Sequence, residues 1–260
     1  MHHSHTTRAA VRAAHRTVVW ALLALGAIAL PGLARPAAAQ DAGMAARAEE
    51  EEEEEVPHPF FTHMGLPEGV GVYNLRVLGT ATRADGSSDG DFAFHFETGL
   101  TSRIGLHVRN DRFRTNDKTE AMFQFTAFVS KNGMNGFAPL IEFEFPTRSG
   151  ASRVNTLAGF TTSLGSSAWA FNQVVHYDPR EDMLDGSVAL VFRANRFLFP
   201  VVEVLGEGGK GQSSVANVLG GIKVRLREGI NLGFAYQLPL TNRKEFSSQL
   251  AFGPEVGWTR

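Results

Sequence analysis

From residue 69 onward, apolar side chains alternate with polar or small ones in runs of about ten residues, the period of a strand with two unlike faces. In the run Asp91 to Glu97, Phe92, Phe94 and Phe96 share one face, and Asp91, Ala93, His95 and Glu97 share the other. The next run sets Ile104, Leu106 and Val108 against Arg103, Gly105, His107 and Arg109. Ile141, Phe143 and Phe145 oppose Glu142 and Glu144, and Ile222, Val224 and Leu226 oppose Lys223, Arg225 and Arg227. No amphipathic stretch of helical period runs beyond about two turns. The chain therefore predicts an all-β fold of about twelve strands, each near the length that a tilted barrel strand needs to cross an apolar layer.

The connections carry topology. Arg83 to Gly90, Asn110 to Lys118, Asp178 to Asp185 and Gly206 to Ser214 read as long and polar. Thr98 to Thr101, Leu164 to Ser167, Arg196 alone, and Arg227 to Gly229 read as tight. Long and short connections thus fall at opposite ends of the sheet, as in a closed antiparallel up-and-down transmembrane β-barrel. A soluble sandwich or lipocalin shows the same alternation with its apolar face inward, so the period alone does not choose between them. Two features favour lipid outside. About twelve strands close a cylinder too wide for an apolar interior to fill without voids. Tyr73, Phe137, Trp169 and Trp258 all fall on the apolar phase at the short-turn end, as an interfacial aromatic girdle does.

Composition changes the picture at the N-terminus. Arg8, Arg12 and Arg16 precede an apolar run from Val18 to Ala29, and Ala37, Ala38 and Ala39 stand before Gln40, which predicts a cleaved secretory signal over 1–39. Residues 40–56 include Glu49 to Glu55 without a break, and adjacent carboxylates that repel one another predict a disordered acidic arm. Such an arm is a solvated spacer or a binder of cations or a basic partner. Residues 57–68, rich in Pro, His and Phe, are expected to pack at the rim of a barrel spanning 69–260. The chain has no cysteine, so disulfides and thiolate metal sites are excluded. Its formal net charge of -2 gives no general attraction to nucleic acid.

Candidate chemistry sits on the charged face. Arg76, His95, Glu97, Arg103, His107, Arg109, Glu142, Glu144, Arg193, Lys223 and Arg225 are expected to line a lumen, with Glu203 beside them. They either filter solutes by charge or form a paired network that fills the barrel, because a charge out of bulk water needs a partner. Histidine offers a second possibility. His58 and His63, with His95 and His107, supply imidazoles for a divalent ion, and Met64 supplies a soft ligand suited to copper(I). No cofactor is expected otherwise. An outer-membrane lipid hydrolase is the enzymatic alternative, but no GxSxG elbow is present and the reading is of a non-enzyme. A soluble periplasmic barrel binding an apolar ligand or a metal ion is the remaining rival. Gly206 to Gly211 lacks the GKS/T ending of a phosphate loop and has no helix after it, and Arg112, Arg114 and Lys118 form a small basic loop suited to lipopolysaccharide phosphates.

Thr98 to Leu106 (TGLTSRIGL), Phe143 to Thr147 (FEFPT) and Tyr236 to Asn242 (YQLPLTN) resemble a broad family of outer-membrane transporters first associated with the degradation of phenol and other aromatic compounds. In that family a Gly-Leu-Thr turn before a strand, and strands ending in Leu-Pro or Phe-Pro, recur around the barrel. The resemblance spans most of Gly69 to Arg260 and describes hairpins more than chemistry. It implies an outer-membrane location, contact with outer-membrane lipid, passage of a small solute and delivery by the barrel-insertion machinery. That machinery usually reads a terminal aromatic, whereas here Trp258 is followed by Thr259 and Arg260.

Overall fold

The computed structural model describes residues 56–114, 118–147, 153–209 and 213–260; the expected signal segment and nearly all of the acidic arm lie outside them. The described chain is all-β. In order come β1 (Val72–Ala84), β2 (Ser87–Thr101), β3 (Ile104–Asn110), β4 (Lys118–Phe125), β5 (Phe128–Val129) and β6 (Gly136–Pro146). Then follow β7 (Asn155–Ser166), β8 (Trp169–Asp178), β9 (Met183–Phe192), β10 (Leu198–Gly209), β11 (Val215–Arg227), β12 (Ile230–Pro239) and β13 (Ser248–Thr259). Sequence neighbours pair antiparallel except β4 and β5, which both lie against β6, and β1 pairs with β13 to close the sheet. The stub β5 continues β4 along the same edge of β6 after a one-residue bulge: Gln124 faces Leu140 and Phe128 faces Phe137. The result is a closed antiparallel barrel of 12 strands, with no free edge.

Most strands run 10 to 13 residues. At a rise of roughly 3.3 Å and a tilt of about 40°, they project to roughly 25–33 Å, the height of an apolar bilayer band. The outer surface suits that band. Val77, Phe92, Ile141, Phe145, Ile222, Phe234, Leu250 and Phe252 are large, apolar and exposed. An apolar belt this continuous marks a surface made for lipid or protein rather than water.

The expected sorting of connections holds, with two corrections. At one end the links cover 111–117, 147–154, 179–182, 210–214 and 240–247; at the other they cover 102–103, 130–135, 167–168, 193–197 and 228–229. The first connection is not a long loop. Asp85 and Gly86, with φ of 46° and 81°, make a two-residue turn, and the polar flanks continue the ladder from Ala84↔Ser87 inward. A tight Asp-Gly turn of this hand matches the twist of the strands it joins, so polarity around it does not make a loop. The link around Arg196 is longer than one residue, spanning 193–197.

The interior departs from a simple charged lumen. Leu78, Ala93, Val191, Phe199, Val201, Leu219, Ala235 and Ala251 point inward and form one cluster with Val56, Phe60 and Phe61. The inward apolar side chains thus come mainly from β9 to β13 with β1, set among Arg76, Glu203, Lys223 and Glu255, while a belt of charged and histidine side chains comes mainly from β2 to β8. Residues 57–68 do not sit at the rim. They fill the cylinder: Phe60 is fully buried, and Thr62 and His63 nearly so. Two phenyl rings carried into the lumen need apolar company, and the inward Phe199, Val201 and Leu219 provide it.

Candidate functional site

The inserted segment leaves the lumen at the short-turn end. His58 Nε2 meets Glu68 Oε1 at 2.6 Å, pinning the two ends of the loop together. Gly71 then turns the chain into β1 with φ of 77°, a left-handed conformation that favours glycine. Between these points the segment is a compact Ω-like plug.

A plug with no secondary structure must satisfy its backbone groups some other way. Here the wall supplies the partners. Glu203 of β10 accepts hydrogen bonds from the backbone N–H groups of Phe60, Phe61 (3.0 Å) and Thr62 (2.9 Å), and from the Thr62 hydroxyl (3.0 Å). Arg76 of β1 donates to the carbonyls of Pro59, Phe60 (3.3 Å) and Thr62 (3.4 Å), and its other arm binds Glu97. Lys223 donates to Pro59 O at 3.2 Å and pairs with Glu255. Further along, Asn172 Oδ1 accepts from Gly65 N–H (2.9 Å), Gln124 donates to Met64 O (2.9 Å), and the Thr161 hydroxyl donates to Gly65 O (2.8 Å). Each charged contact of this kind is worth about 1.5–3 kcal/mol net.

Shape reinforces this grip. A Cβ built on Gly221 or Gly233 would stand 2.7 or 2.6 Å from the Phe60 ring, and one on Gly99 would stand 2.3 Å from the Glu68 and Gly69 carbonyl oxygens. The wall is thus hollowed where the plug touches it. Lys223 Nζ also stands 5.0 Å from the Phe60 ring centroid, within reach of a cation–π contact.

Beside the plug lies a charged belt. Arg109 pairs with Glu120 and approaches Asp111 (3.8 Å) and Glu142 (4.0 Å); Lys118 bridges Glu120 (3.1 Å) and Glu144. His95 Nε2 meets Asp111 Oδ1 at 2.6 Å, and His176 Nε2 lies 3.5 Å from Glu142. Among the described residues eight carboxylates are buried, against only Arg76 and Lys223 of the lysines and arginines. Within the plug, burial alone drives His58 toward neutrality, but Glu97, Glu68 and Glu255 outweigh it and raise its pKa to about 10. His63 goes the other way: burial, with Arg109 and His107 nearby, holds it well below the ordinary imidazole value.

Above the plug is a cavity of about 180 Å³, lined by Phe61, His63, Arg109, His176, Asp185 and Gln237 among others and reaching Arg112 and Glu245 at the long-loop end. Arg112 and Glu245 join at 2.7 Å across that end, both exposed. Lys118 turns to the belt and Arg114 to the Gly90 carbonyl (2.6 Å), so the basic loop is engaged by the barrel's own groups.

The residues expected in the lumen fall into three groups. Arg76, His95, Glu97, His107, Glu142 and Lys223 are buried inside, and Arg109 and Glu144 sit there with a little exposure. Arg193 and Arg225 lie toward the short-turn mouth, where Arg225 covers the Phe199 ring at 4.7 Å. Arg103 is a correction: it occupies the exposed turn between β2 and β3, where inward phase is lost. The aromatic set takes its expected end, Tyr73 stacked on Trp258 (5.5 Å, 13°) and Phe137 beside Phe160, with Trp169 opening β8. The proposed set His58, His63 and Met64 does not assemble. His58 binds Glu68 and Glu255, His63 meets His107 at 3.2 Å, and the Met64 sulfur turns to Asn172 Nδ2 at 3.8 Å. Glu203, expected on the inner face, proves to hold the plug, whereas Glu255, Asn172 and Gln124 were not among the expected residues although they lie on the inward phase of their strands.

These features define a plugged twelve-stranded barrel of the outer-membrane type. Among solved structures, the NanC porin covers 72% of this chain and 99% of its own at 8% identity with a TM-score of 0.52, a likeness of fold alone. Outer membrane phospholipase A from Escherichia coli is also similar, at 10% identity, covering 83% of this chain and 97% of its own, with a TM-score of 0.47. The sequence matches no protein-family model and no curated protein.

Proposed function

We propose that the protein is an outer-membrane channel for small solutes whose pore is shut in this state by its own residues 57–68. The carrying observation is the seat of the plug: a loop without regular structure lies inside a lipid-suited barrel, and Glu203 and Arg76 hold its main chain. Polar side chains hold the main chain of the loop and apolar wall residues pack Phe60 and Phe61, a seat that a loop joined to β1 through Gly71 leaves and re-enters in this reading. The short-turn end, where the plug joins β1, faces the periplasm in this reading, and the 180 Å³ cavity opens toward the exterior. The surplus of buried carboxylates favours cations over anions once the plug withdraws. The phenol-associated subtype of the resemblance stays within this proposal as one class of cargo.

The hydrolase alternative needs a hydroxyl nucleophile on one of the histidines, and among the described residues these meet carboxylates and one another. Planar-bilayer recording tests the channel. The full chain is expected to show rare, small openings, and deletion of residues 57–68 large and sustained ones. Equal and negligible conductance in the full chain, the deletion and a Glu203→Gln variant, each shown to be folded by heat-modifiable migration, would overturn the proposal.

A further inference from the structure

Four imidazoles from four elements converge beside the plug. The ring centroids of His107 (β3), His95 (β2) and His176 (β8) lie 5.1, 6.1 and 6.3 Å from that of His63. We propose that Nδ1 of His63, Nδ1 of His107 and Oε2 of Glu97 form a site for one zinc-like divalent ion that ties the plug to the barrel wall.

Spacing is the first argument. One ligand atom from each of the three residues lies within 4.8 Å of the others, and all three residues are buried. The two Nδ1 atoms stand 3.2 Å apart, and His107 Nδ1 stands 3.6 Å from Glu97 Oε2. Ligands at about 2.0–2.1 Å from a tetrahedral ion are about 3.4 Å from one another, so two of the three separations already match a shared shell and the third lies within 4.8 Å.

Orientation is the second. Glu97 Oε1 is bound by Arg76, which fixes the carboxylate and turns Oε2 toward His107 and toward His58 Nε2 at 3.5 Å. Both distances fall just beyond hydrogen-bond reach, leaving a buried carboxylate oxygen with no short partner. Metal-binding carboxylates are usually fixed in this way by a hydrogen bond to their other oxygen.

Chemistry chooses the ion. Two imidazole nitrogens and one carboxylate oxygen suit zinc and its borderline neighbours, whereas calcium and magnesium want oxygen shells and copper(I) wants sulfur. Met64, turned to Asn172, adds no sulfur. The surplus of buried carboxylates offsets an added double charge, and His63 lines the cavity that reaches the long-loop end.

The test is zinc titration of the folded full chain in detergent against a competing chelator, with cobalt(II) absorption as a second readout. His2, His3, His5 and the glutamate run also attract zinc, so the comparison is between proteins that share them. The wild type is expected to hold one ion more than His63→Ala, or the same ion about 100-fold more tightly, and its tetrahedral cobalt spectrum is expected to vanish in that variant. His107→Ala behaves likewise and His95→Ala keeps the site. Since His63→Ala alters the plug and not the wall, its folding does not depend on the barrel lining. Identical zinc stoichiometry and affinity in wild type and His63→Ala would overturn the site. Because binding is read without conductance, this outcome is separate from the fate of the channel reading.

Discussion

Glu203 and Phe60 show at the level of single side chains how the lumen is closed. Glu203 collects three consecutive backbone N–H groups, and Phe60 occupies the hollow left by Gly221 and Gly233. Glu203→Ala strands those donors in the interior, at about 1–3 kcal/mol for each that finds no new partner, and so loosens the seat of the plug. Its bilayer signature is a large rise in open probability, and unchanged recordings would refute the assignment. Phe60→Ala removes a fully buried ring at about 3–5 kcal/mol and should lower the temperature of heat-modifiable migration. Neither residue announces itself in the sequence. Phe60 sits in a Pro/His stretch with no period, and a lone glutamate in a strand is indistinguishable from one that meets water. The neighbouring pattern did hold a signal: Phe199 and Val201 share the inward phase of Glu203, and a water-filled lumen has no use for them.

Strands and their faces were legible because a closed sheet imposes a strict two-residue period on everything it contains. Phe92, Phe94 and Phe96 against His95 and Glu97 sorted the two faces before any contact was known, and the strand count with the aromatic girdle then said which face was outside. Ends were less legible. The hairpin at Asp85 and Gly86 was hidden because polar residues above the apolar band read as loop, although they continue the ladder as Thr82↔Asp89 and Arg83↔Ser88. The plug was not legible as an element, since nothing in a coil's own sequence states what surrounds it. Its imprint lies in the wall instead. Gly233→Val would place carbon where Phe60 now lies, 2.6 Å from the present ring atom, and is expected to expel the plug while leaving the twelve strands paired. Protease cleavage near residue 60 in folded protein would report that expulsion, and continued protection would count against it.

At the scale of the whole molecule, the lumen is uneven: apolar side chains mainly from β9 to β13 with β1 pack the rings of the plug, while the belt on β2 to β8 concentrates carboxylates. Once the plug is out, the excess of buried acids over Arg76 and Lys223 predicts a cation-preferring pore. A salt gradient across a bilayer containing the 57–68 deletion should give a reversal potential of cationic sign, and an anionic sign would be incompatible with this lumen. The external pair of Arg112 and Glu245 is exposed on both sides, so Arg112→Ala should alter neither folding nor selectivity measurably, exposed pairs being worth about 0–1 kcal/mol. The stopper is also spliced to the first stave through Gly71 and needs no partner to find its socket. On so short a leash its local concentration is of millimolar order however sparse the protein is in the bilayer. Shutting is then a first-order event, and a solitary copy should flicker like a telegraph key at a rate indifferent to crowding.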